Sequence, residues 1–462
     1  MDCAEKIRKR NRIIDAIVFI IALAVTSAVT MTLFYRQVYG SPAMYHSDMK
    51  AYILEMQGLD SGYNFPYPVF FKLAALIHLF TAPEPAVAIA AMLLNSLGLL
   101  VTKLAFNSLA LPTLENGLKI CSGRIHAKHA SDRDRDLTWL AGVIISLVSA
   151  ALFFLSMLYP PDGIYLPGIK FKYLGVFTPN PFHNATYMAA RPFAILAFLW
   201  YVKLLPVYEN GVAGRKQDRN IPGSGEKGNK AFLIDYVLFS LFLLLATMTK
   251  PSFTLVMVSA AGLLMLYRLF RAKFRNFIPT VQFGLCFLPT FLDLLYQYKG
   301  VFMPEEGAEG GVGFCLGEVW AQYCANIPLA VCLAIGFPLA VLILNFREGR
   351  KNTLVRFSWL LYLVSFAEAF LLYEKGFRKF DFNFSWGYMY GIFFCHFGAL
   401  LLLLQITAGK MAHNGPAGVQ KREGRSYMPG MILLVLQWLA FLAHVVCGLL
   451  YFRVIFGGAM YY

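Results

Sequence analysis

The chain alternates long apolar stretches with short polar ones over almost its whole length, and this alternation restricts the folds open to it. A helix of roughly 20 apolar residues crosses a bilayer core, and helices satisfy their own backbone groups in lipid. Of the 462 residues only 15% are charged, whereas a soluble domain contains about 25%. The apolar runs are continuous, which argues against a transmembrane β-barrel. We therefore expect an all-α, polytopic bundle of transmembrane helices.

Eleven stretches are predicted to span the membrane, and residues 1–462 are expected to form a single integral membrane domain. The first apolar core exceeds the roughly 7–15 residues of a signal peptide, so we predict an uncleaved anchor. Segment 66–80 is bounded by prolines and is predicted to lie at the outer surface, or to dip in, without crossing. The predicted spans are 13–35, 86–111, 137–159, 188–208, 231–249, 252–270, 277–297, 326–346, 355–373, 385–408 and 429–452.

The distribution of basic residues predicts the side of the membrane that each loop faces. The segments assigned to the cytoplasm hold 27 Lys and Arg residues, and the outer loops hold 8 when segment 66–80 is left aside. Cytoplasmic loops are enriched in Lys and Arg, so we predict a multi-pass cell-membrane protein with a cytoplasmic N-terminus. The net charge of +15 follows this sidedness, and we expect no nucleic-acid partner. The cytoplasmic segments are the N-terminus and the loops near 112–136, 209–230, 268–276, 347–356 and 409–428.

The eight cysteines are scattered and form no CxxC pair, so no zinc or redox motif is present. Cys315 and Cys324 fall in one predicted outer loop. A disulfide between them and two free thiols both stay open from the sequence.

The first outer loop, residues 36–85, contains the acid Asp48 ahead of a short amphipathic helix that is predicted to end at Gly58. Ser47 or Asp48 is expected to cap this helix, and capping alone would account for the acid. The functional alternative is a catalytic carboxylate. Glu55 lies on the same helix face two turns later, where it either faces the same site or is simply solvated.

The second outer loop enters a helix through a Pro-Asn-Pro-Phe-His-Asn segment at 179–184. Asn184 or Thr186 is expected to cap the helix, and free N–H groups at such an end attract phosphate. Arg191 lies about one turn inside, where it is a functional charge or a side chain that reaches to headgroups. His183 could donate to a phosphate, bind a metal or hydrogen-bond within its loop.

Two more basic groups lie at predicted outer boundaries. Lys250 lies in a Thr-Lys-Pro-Ser turn where one span ends and Pro251 begins the next. Its ammonium could bind a lipid-linked phosphate or reach to headgroups. Arg378 lies in an outer loop rich in basic and aromatic residues, against the inside-positive trend. That loop suggests an anionic or sugar ligand, or an interfacial aromatic belt.

The stretch around Asp48, the segment leading to Arg191 and the turn at Lys250 together resemble the GT-C superfamily of polytopic glycosyltransferases. That superfamily includes the protein O-mannosyltransferases and the lipid A aminoarabinose transferases. The layout is similar over most of the chain, and residue-level similarity is confined to these three segments. The resemblance implies surface helices in the first outer loop. It also implies transfer of a hexose or pentose from a polyprenyl-phosphate carrier.

The resemblance also implies residue roles and partners. Asp48 would be the general base for an extracytoplasmic glycan, lipid or protein acceptor. The donor would be a lipid-linked sugar, with membrane lipids around the protein. Many members contain two adjacent acids in the first loop, whereas Asp48 has no acidic neighbour, so a divalent cation stays open and no metal ligand is assigned. The implied substrate-binding residues are His46, Glu55, His183, Asn184, Arg191, Lys250 and Arg378.

Two other functions stay open from the sequence. A transporter or flippase of lipid-linked sugars would use acids and broken helices near the bilayer midplane, often in related halves. Asp293 and Glu368 are among the few acids in or near the later spans, and no halves are visible. The remaining alternative is a non-catalytic envelope-assembly protein that binds no lipid-linked sugar.

Overall fold

The computed structural model describes residues 3–63, 65–128, 137–160, 171–172, 174–213, 226–301, 310–413 and 428–458. Eighteen α-helices occur in these ranges. They are α1 Cys3–Tyr39, α2 Met49–Met56, α3 Pro68–His78, α4 Pro83–Leu109, α5 Leu111–Lys128, α6 Trp139–Leu152, α7 Ala185–Ala213, α8 Glu226–Thr249, α9 Ser252–Arg271, α10 Phe277–Leu285, α11 Leu288–Val301, α12 Glu318–Ala321, α13 Ile327–Ala334, α14 Gly336–Leu344, α15 Phe346–Lys351, α16 Thr353–Leu371, α17 Ser385–His413 and α18 Met428–Phe456.

The polytopic helical bundle is confirmed, with a lower number of clear spans than the eleven predicted. Among the described residues, seven helices are long and apolar enough to cross a membrane, or nine if each of two bent pairs counts as one span. The bent pairs are α10 with α11, at 52°, and α13 with α14, at 69°. The two remaining predicted spans correspond to shorter apolar helices, Trp139–Leu152 and Leu233–Thr249. Eleven crossings therefore stay a prediction.

The first outer loop contains the surface helices expected from its sequence. Helix α2 ends at Met56 and is followed by Gly58 in the left-handed region (φ +70°), as its glycine predicted. Helix α3 has 11 residues, which at about 1.5 Å each cover about half of a bilayer core. Its buried residues Phe70, Phe71 and Ala74 pack in the cluster that includes Tyr52 of α2. Segment 66–80 is thus a docked helix, too short to cross.

The segment near 112–136, predicted as a cytoplasmic loop, begins instead with helix α5. Leu114 and Leu118 of α5 are buried, and a Cβ at Gly117 would collide with the backbone of Ala408 in α17. This connection therefore contains a helix whose apolar face packs on α17, and its cytoplasmic location stays a prediction. Residues 129–136 lie outside the described ranges.

Side-chain hydrogen bonds connect the helices at each end of the bundle. At the end containing the N-terminus, Asn11 donates to Thr138 (2.7 Å) and Gln405 donates to the carbonyl of Leu109 (3.3 Å). At the opposite end, Gln37 donates to the carbonyl of Phe182 (3.0 Å). Each of these bonds joins segments that the charge pattern assigns to one side of the membrane.

Helices α16 and α17 approach each other closely. A Cβ at Gly391 or Gly398 would overlap the side chains of Ser365 or Ser358 across the interface. Small residues allow such close backbone approach between helices in lipid. Helix α17 begins at Ser385, and its N-terminal part is therefore fixed on α16.

A stretch of irregular backbone follows α6 inside the bundle. The amide N–H of Ser156 donates to the carbonyl of His444 in α18 (3.2 Å), and that of Leu158 donates to the carbonyl of Leu333 in α13 (2.9 Å). The His444 imidazole contacts the carbonyl of Ser156 through Nδ1 (2.7 Å) and accepts from the N–H of Phe337 through Nε2 (3.1 Å). These bonds satisfy backbone groups that lipid could not.

Two short strands lie next to the C-terminal end of α16. Strand β1, Val312–Phe314, pairs antiparallel with β2, Leu372–Glu374. Cys315 and Cys324 are free buried thiols, and each contacts a different backbone carbonyl, that of Phe370 or that of Asn326. Of the two alternatives open from the sequence, the structure has free thiols.

A buried ion pair joins α1, α4 and α6 near the N-terminal end of the bundle. The ammonium of Lys103 donates to Asp15 (2.6 Å), to Asn107 (2.8 Å) and to the carbonyl of Gly142 (3.4 Å). Ser146 also donates to Asp15 (3.0 Å). All three ammonium hydrogens therefore have acceptors, as an ammonium removed from water requires.

We predict that Lys103→Met lowers the free energy of unfolding by about 3–5 kcal/mol, because removing one partner leaves a charge without its counter-ion. The double variant Asp15→Leu/Lys103→Met should lose much less. Denaturant unfolding of the purified chain measures both, with the exposed Lys119→Met as the control. A double variant as unstable as the single one would contradict this account.

Candidate functional site

Asp48 lies at the N-cap position of α2, but its side chain makes no capping hydrogen bond. Its Oδ2 instead accepts from the amide of Asn184 (2.8 Å) and from the hydroxyl of Tyr52 (3.1 Å). Its Oδ1 has no hydrogen-bond partner within the described ranges. The side chain is partly exposed. One carboxylate oxygen is thus fixed, and the other can accept a proton.

Asn184 connects this carboxylate to the start of α7. Its Oδ1 accepts from the backbone N–H of Tyr187 (2.9 Å) and from the hydroxyl of Thr186 (2.9 Å). The first bond is an N-cap, which confirms that Asn184 caps α7. Because the carbonyl oxygen is used by the helix, the amide nitrogen must point away from it, toward Asp48.

Lys250 lies between α8 and α9 on the other side of Thr186. Its Nζ donates to Thr186 Oγ1 (3.4 Å) and lies 4.7 Å from the ring centre of Trp386 and 5.8 Å from that of Tyr67. Thr186 in turn contacts the Tyr52 hydroxyl (3.0 Å). These bonds limit the separation between the Lys250 ammonium and the Asp48 carboxylate to at most about 9.5 Å. The acid and this base therefore share one site.

The ammonium is almost removed from water, since Lys250 is only 7% exposed. Burial lowers the pKa of Lys250 to about 8, the negative charge of Asp48 opposes this shift, and the positive charge of Arg378 adds to it. Burial raises the pKa of Tyr52 well above its ordinary value, with a further contribution from Asp48. Tyr52 therefore stays a hydrogen donor, whereas Lys250 changes charge near pH 8.

The turn at Lys250 depends on a partner in α11. Pro251 has no N–H, so the carbonyl of Thr247 lacks its helical donor. The side chain of Gln297 donates to that carbonyl (3.1 Å). The hydroxyl of Thr247 also contacts that of Thr254 in α9 (2.8 Å). Helices α8, α9 and α11 are therefore joined directly beneath Lys250.

His183 packs beside this group as a neutral ring. Its ring centre lies 5.3 Å from that of Trp386. Burial, with smaller contributions from His46 and Lys250, lowers the pKa of His183 to about 3. His183 therefore contributes no positive charge at neutral pH. His46 is exposed and close enough to His183 to affect it electrostatically.

Arg191, expected at the site, contacts the loop behind it. It is fully buried and donates to Asn180 Oδ1 (2.7 Å) and to the carbonyl of Pro179 (2.8 Å). Its guanidinium also lies over the rings of Phe153 (4.9 Å) and Phe393 (4.6 Å). No carboxylate in the described ranges pairs with it. The sequence places this charge inside a predicted span. In the structure its guanidinium binds the Pro-Asn-Pro turn.

Arg378 and Glu55 lie at the edge of the site. Arg378 forms salt bridges with Glu374 (3.5 Å) and Asp381 (3.3 Å) and affects Lys250 through its charge. Glu55 is partly buried and accepts from Ser61 (3.2 Å). Neither makes a hydrogen bond to Asp48 or Lys250.

Three aromatic residues of the site, Tyr52, Tyr67 and Trp386, were not among the predicted site residues. The position of Tyr52, four residues after Asp48 on a predicted helix, was a usable signal, because residues at that spacing are neighbours. Tyr67 lies in the same loop as Asp48 but outside α2, and no local pattern indicated it. Trp386 follows the basic, aromatic-rich loop that contains Arg378, and that composition was a signal for it. Within the described ranges no three His, Cys, Asp or Glu residues form a group that could hold a metal ion.

None of the family models, curated proteins or solved structures compared with this chain matches it. The functional argument therefore depends on the geometry of this site.

We predict that binding of a short prenyl monophosphate weakens as the pH rises through about 8, because Lys250 then loses its positive charge. A phosphate monoester has its second pKa at about 6, so the ligand's charge stays constant over this range. Lys250→Arg should move the loss of binding to higher pH, since guanidinium stays charged. Isothermal titration at several pH values measures this. If the pH dependence of binding is unchanged in Lys250→Arg, Lys250 is not the group whose loss of charge weakens binding.

Proposed function

We propose that this chain is a membrane glycosyltransferase. It moves a sugar from a polyprenyl-phosphate carrier to a hydroxyl of an acceptor outside the cytoplasm. The observation behind the proposal is the orientation of Asp48. Its carboxylate makes no capping hydrogen bond and instead accepts hydrogen bonds from Asn184 and Tyr52. It lies within about 9.5 Å of the buried ammonium of Lys250. A surface helix needs no such arrangement.

The reaction would be a direct displacement at the anomeric carbon. The acceptor oxygen attacks that carbon while its proton passes to Oδ1 of Asp48, which has no hydrogen-bond partner among the described residues. General-base catalysis of this kind contributes about 10²–10⁴-fold. The bond between the anomeric carbon and the phosphate oxygen breaks, and its electron pair stays on the phosphate. The anomeric configuration is inverted.

The leaving phosphate would be stabilised by Lys250. Its ammonium has three hydrogens and makes one hydrogen bond within the described part of the chain, to Thr186, so two hydrogens can bind phosphate oxygens. Fixed donors in a site with little water are worth more than the same donors in water. Trp386 and Tyr67 fix the ammonium from the sides. Arg191 acts through the turn that it binds, and the polyprenyl chain would lie in the bilayer beside the helices.

We predict that Asp48→Asn keeps the fold and donor binding but slows transfer by about 100-fold or more, the usual contribution of a general base. The assay follows a panel of radiolabelled prenyl-phosphate hexoses and pentoses with the purified chain in nanodiscs.

Glu84→Gln is the matched control for this prediction. It makes the same carboxylate-to-amide change in the first turn of α4, at the end of the same outer loop, and should leave transfer unchanged. Full activity of Asp48→Asn would remove the mechanism.

A specific observation supports a flippase of lipid-linked sugars as a second candidate. Discontinuous helices line the sites of many transporters, and the break between α13 and α14 meets the buried His444 and His396, whose rings lie 4.8 Å apart. His396 Nε2 is buried and has no hydrogen-bond partner in the described ranges. A fluorescent prenyl-phosphate sugar in proteoliposomes distinguishes the two functions. Flipping that survives Asp48→Asn and is lost in His396→Phe would favour the flippase.

A further inference from the structure

Three aromatic rings form a row from the surface of the first outer loop to the candidate site. The ring centres of Tyr63 and Phe65 lie 5.6 Å apart, and those of Phe65 and Tyr67 lie 6.2 Å apart. The Tyr67 ring then lies 5.8 Å from the ammonium of Lys250. Tyr63 is 54% exposed, and the next two rings are partly buried. We call Tyr63, Phe65 and Tyr67 the aromatic row.

The outermost ring lies on an ordered turn. Gly62 adopts the left-handed region (φ +72°), and its N–H donates to Asp60 (2.8 Å). The N–H of Tyr63 donates to Ser61 Oγ (3.2 Å), and the hydroxyl of Ser61 contacts the carbonyl of Tyr63 (2.8 Å). These bonds fix the backbone of Tyr63, although its ring is largely exposed.

The inner part of the row is joined to the catalytic candidate. Phe65 packs against Tyr52 with ring centres 5.2 Å apart, and Tyr52 donates to Asp48. Glu55 lies beside the turn, where Oε2 contacts the hydroxyl of Ser61 and Oε1 has no hydrogen-bond partner in the described ranges. A ligand along the row would therefore meet apolar ring faces, a carboxylate oxygen and, at the inner end, Asp48.

We infer that the aromatic row binds an oligosaccharide chain as the acceptor, with its terminal sugar at Asp48 and the following sugars on Phe65 and Tyr63. Sugar rings present apolar C–H faces that stack on electron-rich aromatic faces, and their hydroxyls match a carboxylate acceptor. The spacing of the rings is comparable with the length of one sugar unit. This inference rests on the proposed function, because the row ends at the proposed base.

The chemistry of the row favours a glycan over lipid. An interfacial aromatic belt surrounds a protein at headgroup level, whereas this row runs inward to one point. A carboxylate such as Glu55 would also be unfavourable against acyl chains. A glycan satisfies both the rings and the carboxylate.

The experiment uses the full chain with Asp48→Asn, so that binding is measured without turnover. Hexose and pentose oligosaccharides of one to six units are titrated and followed by saturation-transfer NMR. We expect affinity to rise with chain length. Tyr63→Ala should weaken binding of the longer oligosaccharides by about three- to tenfold, as expected for loss of one aromatic contact, and should leave monosaccharide binding unchanged. Tyr63→Phe should retain the length dependence.

Tyr267→Ala is the matched control, because Tyr267 is 59% exposed near the C-terminal end of α9, about 25 Å along that helix from Lys250. Affinity that does not increase with length would overturn the inference, as would equal loss in Tyr267→Ala. If Tyr63→Ala changes only insertion into the bilayer, Tyr63 is a membrane anchor, and the inference is overturned. Sugar transfer to a lipid or peptide acceptor, unaffected by Tyr63→Ala, would refute the glycan acceptor while the proposed transferase stands.

Discussion

The arrangement of the candidate site depends on the two hydrogen bonds that the side-chain amide of Asn184 makes with α7 and Asp48. Its oxygen caps α7 and its nitrogen donates to Asp48, so one planar group links a transmembrane helix to the first outer loop. A capping bond is worth about 1 kcal/mol, and a hydrogen bond to a charged group about 1.5–3 kcal/mol. Because the amide is planar and rigid, the hydrogen bond of its oxygen to α7 also determines the direction in which its N–H group points toward the Asp48 carboxylate.

Two buried cations near this link have aromatic rings as their principal neighbours. Lys250 lies beside Trp386 and Tyr67, and Arg191 lies among Phe153 and Phe393 with one amide and one carbonyl as acceptors. Cation–π contacts of desolvated groups reach about 2 kcal/mol or more, which is less than the cost of removing a charge from water. The burial of these charges is therefore only partly compensated in the free protein.

Local patterns predicted much of the fold and part of the site. The apolar stretches indicated the bundle, the glycine after α2 indicated its end, and the asparagine before α7 indicated its cap. In each case the determining atoms lie within a few residues. The pairing of Asp48 with Asn184 joins residues 136 positions apart, and no local pattern could reveal it. The same limit applies to Arg191. The sequence predicts a charge in the membrane, but it does not indicate that the guanidinium donates a hydrogen bond to the carbonyl of Pro179.

The incompletely compensated charge beneath Thr186 has a consequence for turnover on the proposed mechanism. A sugar phosphodiester has one negative charge, whereas the prenyl phosphate released from it approaches two near neutral pH. An ammonium with two hydrogens still to donate attracts the more highly charged species more strongly. The released prenyl phosphate should therefore dissociate slowly and inhibit the next cycle. Product release, rather than formation of the new glycosidic bond, would then limit the turnover rate.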